Sequence, residues 1–132
     1  MSLSERIRKA KRVYLIGNGG SYANAMHIAN DLIACGIRAH TLDPATLTAT
    51  ANDFGFEFIF SKWLITMAEE GDLLIALSGS GKSPNILNAL EAAKIIGMDI
   101  ERVFGAEQGL SMQAAEEHKI HLGHMLLREL KK

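Results

Sequence analysis

The chain has 132 residues, with 14 basic and 15 acidic side chains interspersed and a formal net charge of −1. That length suits a single domain (residues 1–132) with a sizeable core, and the even charge gives neither the basic footprint of a nucleic-acid binder nor a polybasic membrane face. Hydrophobic residues reach 48%, yet no apolar run approaches the ~18 residues a membrane-spanning helix needs.

The lone cysteine, Cys35, has no intramolecular partner for a disulfide, which fits a reducing cytosol. Met1 to Arg12 is charged and amphipathic and lacks the apolar core of a signal peptide. The expectation is a cytoplasmic α/β domain.

In chain order, Ser4 to Lys11 reads as a short helix with Ile7 its main inward residue, and Val13–Ile16 as a first strand. The unbroken apolar run of that strand suits a parallel sheet covered on both faces. Gly17-Asn18-Gly19-Gly20-Ser21 follows, and from Ser21 a helix runs to about Cys35, with Ala25, Ile28, Ala29, Leu32 and Ile33 as its buried stripe and Gly36 closing it. Ile37–Leu42 is a second strand. Asp43-Pro44 opens a short helix through Thr50, Asn52-Asp53-Phe54-Gly55 is a turn, and a further helix spans about Glu57 to Glu69.

Leu73–Leu77 is the central strand and empties into Ser78-Gly79-Ser80-Gly81-Lys82-Ser83. Pro84 to Ile96 is a helix, with Pro in its first turn and Ile86, Leu87, Leu90, Ala93 and Ile96 at helical spacing. Gly97-Met98-Asp99 ends it, Ile100–Phe104 is a fourth strand, Gly105 to Gly109 a loop, and Ser111 to Lys132 a long closing helix. Strands alternating with helices predict a doubly wound parallel sheet with helices on both faces. Ligands of such sheets sit beyond the carboxyl ends of the strands, where both glycine/serine loops fall.

A strand that opens through glycines into a helix builds an anion site, because the backbone turns tightly and the helix aims unpaired N–H groups outward. Two such units in one chain point to one phosphorylated ligand held from two sides. The second loop adds the Ser78, Ser80 and Ser83 hydroxyls to the amides at the start of the Pro84 helix. Alone it reads equally well as an ordinary polar βα turn; paired with Gly17–Ser21 it reads as a phosphate cradle. It is not a P-loop, since the first glycine is missing at the required spacing. A dinucleotide fingerprint also fails, because Tyr22 stands where Gly-x-Gly-x-x-Gly needs its last glycine.

Two sets of titratable residues occur. His27 and Asp31 are at i, i+4, and Glu116, Glu117, His118, His121 and His124 crowd the C-terminal helix, where Glu117, His121 and His124 fall at i, i+4, i+7. Imidazole with carboxylate can bind a divalent metal such as zinc or exchange protons. The same spacing equally describes a solvated helix face.

Taken together, Gly17-Asn18-Gly19-Gly20-Ser21, Ala25-Met26-His27, Asn52-Asp53-Phe54-Gly55-Phe56, Ser78 to Asn85 and Gly123-His124 resemble the sugar isomerase (SIS) domain family and, within it, the phosphoheptose isomerases. The likeness spans about residues 12–97 and resumes near 113–130. It implies a flavodoxin-like sheet, a homotetramer with active sites between subunits, a bound zinc in many members, and aldose–ketose isomerisation of a seven-carbon sugar phosphate toward bacterial surface heptose.

By position, the resemblance implies that Ser21, Ser78, Ser80 and Ser83 hold the phosphate with Gly19, that Asn18 and Asp43 touch the sugar chain, and that Asn52 and Asp53 belong to the substrate site. It implies His27, Asp31, Glu116 and His124 as metal ligands, with Asp31 the base and His124 the acid. Asp31 stands where the family has glutamate, Glu116 where it has glutamine, and Lys82 where it has asparagine. Gly97 to Ser111 is too short for the family's fifth strand and adjoining loop, and the long N-terminal helix is reduced to Ser4–Lys11. A non-catalytic SIS module that binds a sugar phosphate or a protein partner is the alternative reading.

Overall fold

The computed structural model of the chain describes residues 1–105, 123–126 and 128–131. Helix α1 (Leu3–Lys9) leads into β1 (Val13–Ile16) and α2 (Gly20–Ala34); β2 (Ala39–His40), α3 (Pro44–Phe54), a 3-10 turn (Phe56–Phe58) and α4 (Ile59–Met67) follow. Strand β3 (Leu73–Ser78), α5 (Pro84–Ile96) and β4 (Asp99–Phe104) complete the regular elements, and residues 123–126 and 128–130 are helical.

The four strands are parallel in the order β2-β1-β3-β4. Because β1 and β3 are adjacent while β2 lies beyond β1, the direction of winding reverses between β1 and β3, the switch point where open α/β sheets bind ligands. Alternation along the strands divides the core. Val13, Leu15, Leu73, Ile75 and Leu77 face Ile7, the α2 residues Ala25, Ile28, Ala29 and Leu32, and Leu126 and Leu130. Tyr14, Ile16, Leu74 and Ala76 face α4 and α5 through Ile59, Phe60, Leu64, Ile86, Ala89 and Leu90. The sheet is therefore covered on both sides, which is why its strands carry continuous apolar runs.

Several elements differ from the sequence expectation. The second strand shrinks from Ile37–Leu42 to Ala39–His40, the two residues that pair with Val13 and Tyr14 of β1. Helix α3 runs to Phe54, so Asn52 and Asp53 are helical and only Gly55, at φ 113°, turns the chain. Ile33 and Leu87, expected inside, are 57% and 45% exposed; each lies at the edge of its stripe, rotated past the sheet contact. Strand β4 pairs with β3 along its whole length, from Asp99 opposite Leu73 to Phe104 opposite Ser78. Loop 105–109 falls mostly, and the greater part of the closing helix wholly, outside the described residues.

Candidate active site

The two glycine/serine loops leave neighbouring strands at the same end of the sheet. After β1, a Cβ on Gly17 would lie 2.7 Å from the carbonyl carbon of Ser21. Glycine is required there because the chain doubles back onto the first turn of α2. Gly19 is the N-cap of α2 and supplies no side-chain cap bond, and the N-cap Ser83 of α5 supplies none either. Neither cap side chain therefore takes up an amide of its helix start. At α5, Pro84 has no N–H and the Ile86 and Leu87 amides bond back to the Ser83 carbonyl at 3.0 Å.

Between these helix starts lies a cleft of about 70 Å³ lined by Asn18, Ser21, Ser78, Gly79, Ser80 and Ser83. Ser21 and Ser78 are buried, Ser80 is exposed and Ser83 half-buried. Ser78 Oγ accepts the Gly81 amide at 2.9 Å and Ser80 Oγ accepts the Lys82 amide at 3.1 Å. A hydroxyl that accepts in this way keeps its own O–H to donate. The cleft therefore collects hydroxyl donors and two positive helix ends with no carboxylate in its lining, which is an environment for a dianion. Gly19 lines an adjoining cleft of about 200 Å³ with Asn18, Tyr22, Leu47, Phe56, Ile59 and Phe60.

A third cleft, of about 400 Å³, adjoins it, lined by Asn18, Phe56, Glu57, Ser83, Pro84 and Asn85. Asn18 is common to all three. Its carboxamide forms a head-to-tail pair with that of Asn85: Asn18 Nδ2 donates to Asn85 Oδ1 and Asn85 Nδ2 to Asn18 Oδ1, both at 2.9 Å.

The titratable set gathers elsewhere. His27 Nε2 lies 3.5 Å from Asp31 Oδ2 one turn along α2, and the His124 ring lies with its centroid 5.9 Å from that of His27, edge to face. Asp31 Oδ2 is buried and has no hydrogen-bond partner among the described residues. What lets His124 come so near is Gly123, where a Cβ would sit 2.8 Å from Ile28 Cγ1 on α2. Glu116, Glu117, His118 and His121 lie outside the described residues. Ser21 and His27 are six residues apart on one helix, so they point roughly 120° apart around its axis and roughly 9 Å apart along it.

The remaining expected residues stand apart from the cradle. Asp43 is the N-cap of α3, its Oδ2 accepting the Thr46 amide at 3.0 Å, and that bond holds its carboxyl below the ordinary carboxylate value. Asn52 Nδ2 donates to Asp53 Oδ1 at 3.1 Å, and both side chains are exposed. None of Asp43, Asn52 and Asp53 lines the three clefts. The Tyr22 hydroxyl donates to the Leu42 carbonyl, and burial raises its pKa.

Asn85 and Phe56 are among the lining residues to which the sequence reading gives no role. Asn85 shares a helix stripe with the buried Ala89 and Ala92, and a polar residue on an apolar stripe is the signal that marks it. Phe56, exposed beside the clefts, carries no comparable signal.

Residues 2–105 match the model of the SIS domain. The chain belongs to the SIS domain family. Among curated relatives of this SIS domain, a phosphoheptose isomerase of Campylobacter concisus is 38% identical over 116 residues, covering 81% of this chain and 61% of that one. A phosphoheptose isomerase of Burkholderia pseudomallei is 38% identical over 138 residues, covering 92% and 70%. The solved phosphoheptose isomerase of Neisseria gonorrhoeae superposes with a TM-score of 0.86 at 27% identity, covering 98% of this chain and 80% of that one. The SIS domain thus spans between about three fifths and about seven tenths of the length of these two curated relatives.

His27 and Asp31 offer nitrogen and oxygen donors suited to zinc, and Asp31 Oδ2 has an unmet acceptor position. Among the described residues no group of three His, Cys, Asp or Glu side chains is placed to hold a metal ion. Also among them, no helix is long and apolar enough to cross a membrane.

Proposed function

We propose that this SIS domain is a phosphosugar isomerase of the phosphoheptose type, interconverting sedoheptulose 7-phosphate and an aldose heptose 7-phosphate through an enediol. The observation that carries the reading is the convergence of Ser21, Ser78, Ser80 and Ser83 on one small cleft between two helix N-termini. A phosphate anchored there leaves the sugar chain to extend over the cleft lined by Asn18, Phe56 and Glu57.

In the reaction, a base removes the C1 proton beside the C2 carbonyl, and the enediol takes a proton back at C2 while O1 becomes the aldehyde oxygen. Asp31 is the base of this scheme, since its buried Oδ2 is not spent on another hydrogen bond among the described residues. His124 moves the proton between the two oxygens. Zinc, if bound, would be held by His27, Asp31, Glu116 and His124 and would supply electrostatic stabilisation of the developing oxyanion.

The phosphate cleft and the His27–Asp31–His124 group occupy different faces of α2. An active site completed between copies of the chain, in a homotetramer or a dimer, accounts for that separation. A phosphorylated substrate and a lone cysteine suit the cytoplasm.

The test is incubation with sedoheptulose 7-phosphate, with and without zinc, followed by detection of the aldose. Aldose formation in either condition is the expected result. No aldose in either, with phosphate-ester binding retained, would leave a sugar-phosphate-binding module and overturn the isomerase.

A further inference from the structure

We propose that Asn85 is a positioning residue, which holds the two phosphate loops at a fixed separation through its amide pair with Asn18. This rests on the phosphosugar reading above and goes beyond it by assigning a role to a residue that contacts the other loop rather than the phosphate cleft itself. Asn85 occupies the second position of α5 and is 2% exposed. Asn18 sits in the β1–α2 loop, 67 residues earlier in the chain. The reciprocal bonds of 2.9 Å each are side-chain links running directly from one phosphate loop to the helix that closes the other.

A pair of this kind constrains both distance and orientation, because each carboxamide must present its N–H to the other's oxygen at once. Truncating Asn85 leaves the half-buried Asn18 carboxamide beside the cleft without the partner that fixes its orientation. The cleft depends on that geometry. Its lining alternates between the loops, with Asn18 and Ser21 from one and Ser78, Gly79, Ser80 and Ser83 from the other. An anion can engage both sets only while the loops keep their spacing, and a preorganised arrangement spends no binding energy on establishing it.

The pairing also changes the reading of Asn18. One lone pair of its Oδ1 and one Nδ2 proton are committed to Asn85, so what it offers a sugar is the remaining N–H and the second lone pair of Oδ1. Its main contribution is to hold the first loop in register with α5.

The test is a double-mutant cycle of Asn85→Ala, Asn18→Ala and the double variant. The affinity for inorganic phosphate and for sedoheptulose 7-phosphate is measured by calorimetry, with thermal unfolding and kinetics in parallel. Positioning predicts that Asn85→Ala weakens phosphate binding about tenfold, the equivalent of about 1.4 kcal/mol, and raises KM with little change in kcat. In the Asn18→Ala background the same substitution adds nothing. Should Asn85→Ala fail to fold, Asn85→Leu keeps the volume without the hydrogen bonds and carries the same expectation.

Unchanged phosphate affinity, or losses that add fully in the double variant, overturns the role. A lowered melting temperature with phosphate affinity intact shows that Asn85 merely supports the fold, and also overturns it. If the unaltered chain binds neither ligand, both the phosphosugar reading and the role of Asn85 fall.

Discussion

Gly123 shows how one hydrogen in place of a methyl group sets the geometry of a site. In a helix, glycine to alanine ordinarily stabilises by about 1 kcal/mol. Here the added Cβ would meet Ile28 Cγ1 at 2.8 Å, and because Ile28 is itself packed in the core the clash pushes the segment that carries His124 away from α2. Gly123→Ala is therefore expected to lower kcat about tenfold or more while leaving phosphate affinity unchanged, because the cradle lies on another face of α2. Ile28→Ala in the same chain opens the space and is expected to recover much of the rate. Steady-state kinetics on the single and double variants checks this; a fully active Gly123→Ala chain would show that the approach of the two helices does not matter.

Asn18 and Asn85 make the complementary point about what a sequence discloses. Glycines and serines after apolar strands announce an anion site, because their chemistry is local. The amide pair depends on two positions 67 residues apart, and nothing in either local segment reveals it.

Among the elements, the long apolar runs were the most legible. Val13–Ile16 and Leu73–Leu77 read directly from unbroken buried runs, the second extending one residue further to Ser78, and Pro84–Ile96 from the helical spacing of its buried stripe. The second strand and the Asn52–Gly55 turn were misread because their ends depend on partners elsewhere: β2 pairs with only two residues of β1, and α3 continues until Gly55.

Strand β4 depends on a clamp that no motif discloses. Arg6 of α1 donates from Nε and a terminal nitrogen to the two carboxylate oxygens of Asp99 at 2.8 and 2.9 Å, to Glu101 at 2.6 Å and to the Ile100 carbonyl at 3.0 Å. These bonds fasten the outer strand of the described sheet to α1. Arg6→Met is expected to cost about 1 kcal/mol, a figure held low because the Asp99 side chain is 48% exposed and such pairs are screened by water and salt.

The hydrogen bonds from Arg6 hold the Asp99 carboxyl below its ordinary value. The clamp therefore contributes fully above the unfolded carboxylate pKa of about 4 and is lost as pH falls through the lower folded value. Thermal unfolding of parent and variant at neutral and acidic pH should show the gap closing at the acid end; a gap constant with pH would assign the loss to packing of the arginine stem instead.

At the scale of the whole molecule, α2 divides the labour. Its first turn presents Ser21 to the cleft at the switch point of the sheet, and its flank, two turns on, presents His27 and Asp31 beside His124. In the proposed reaction, binding and proton transfer would fall to different faces of one helix. The parallel order β2-β1-β3-β4 brings the two glycine/serine loops together, while Leu126 and Leu130 pack on the face of the sheet that α2 covers and His124 stands beside His27.

The measurement that tests this division most directly is the parallel determination of sedoheptulose 7-phosphate affinity and turnover for Ser80→Ala and His124→Ala. The account predicts that Ser80→Ala weakens binding about tenfold, and that His124→Ala abolishes turnover while binding the substrate as the parent does. Unchanged affinity in Ser80→Ala, or undiminished turnover in His124→Ala, would contradict it.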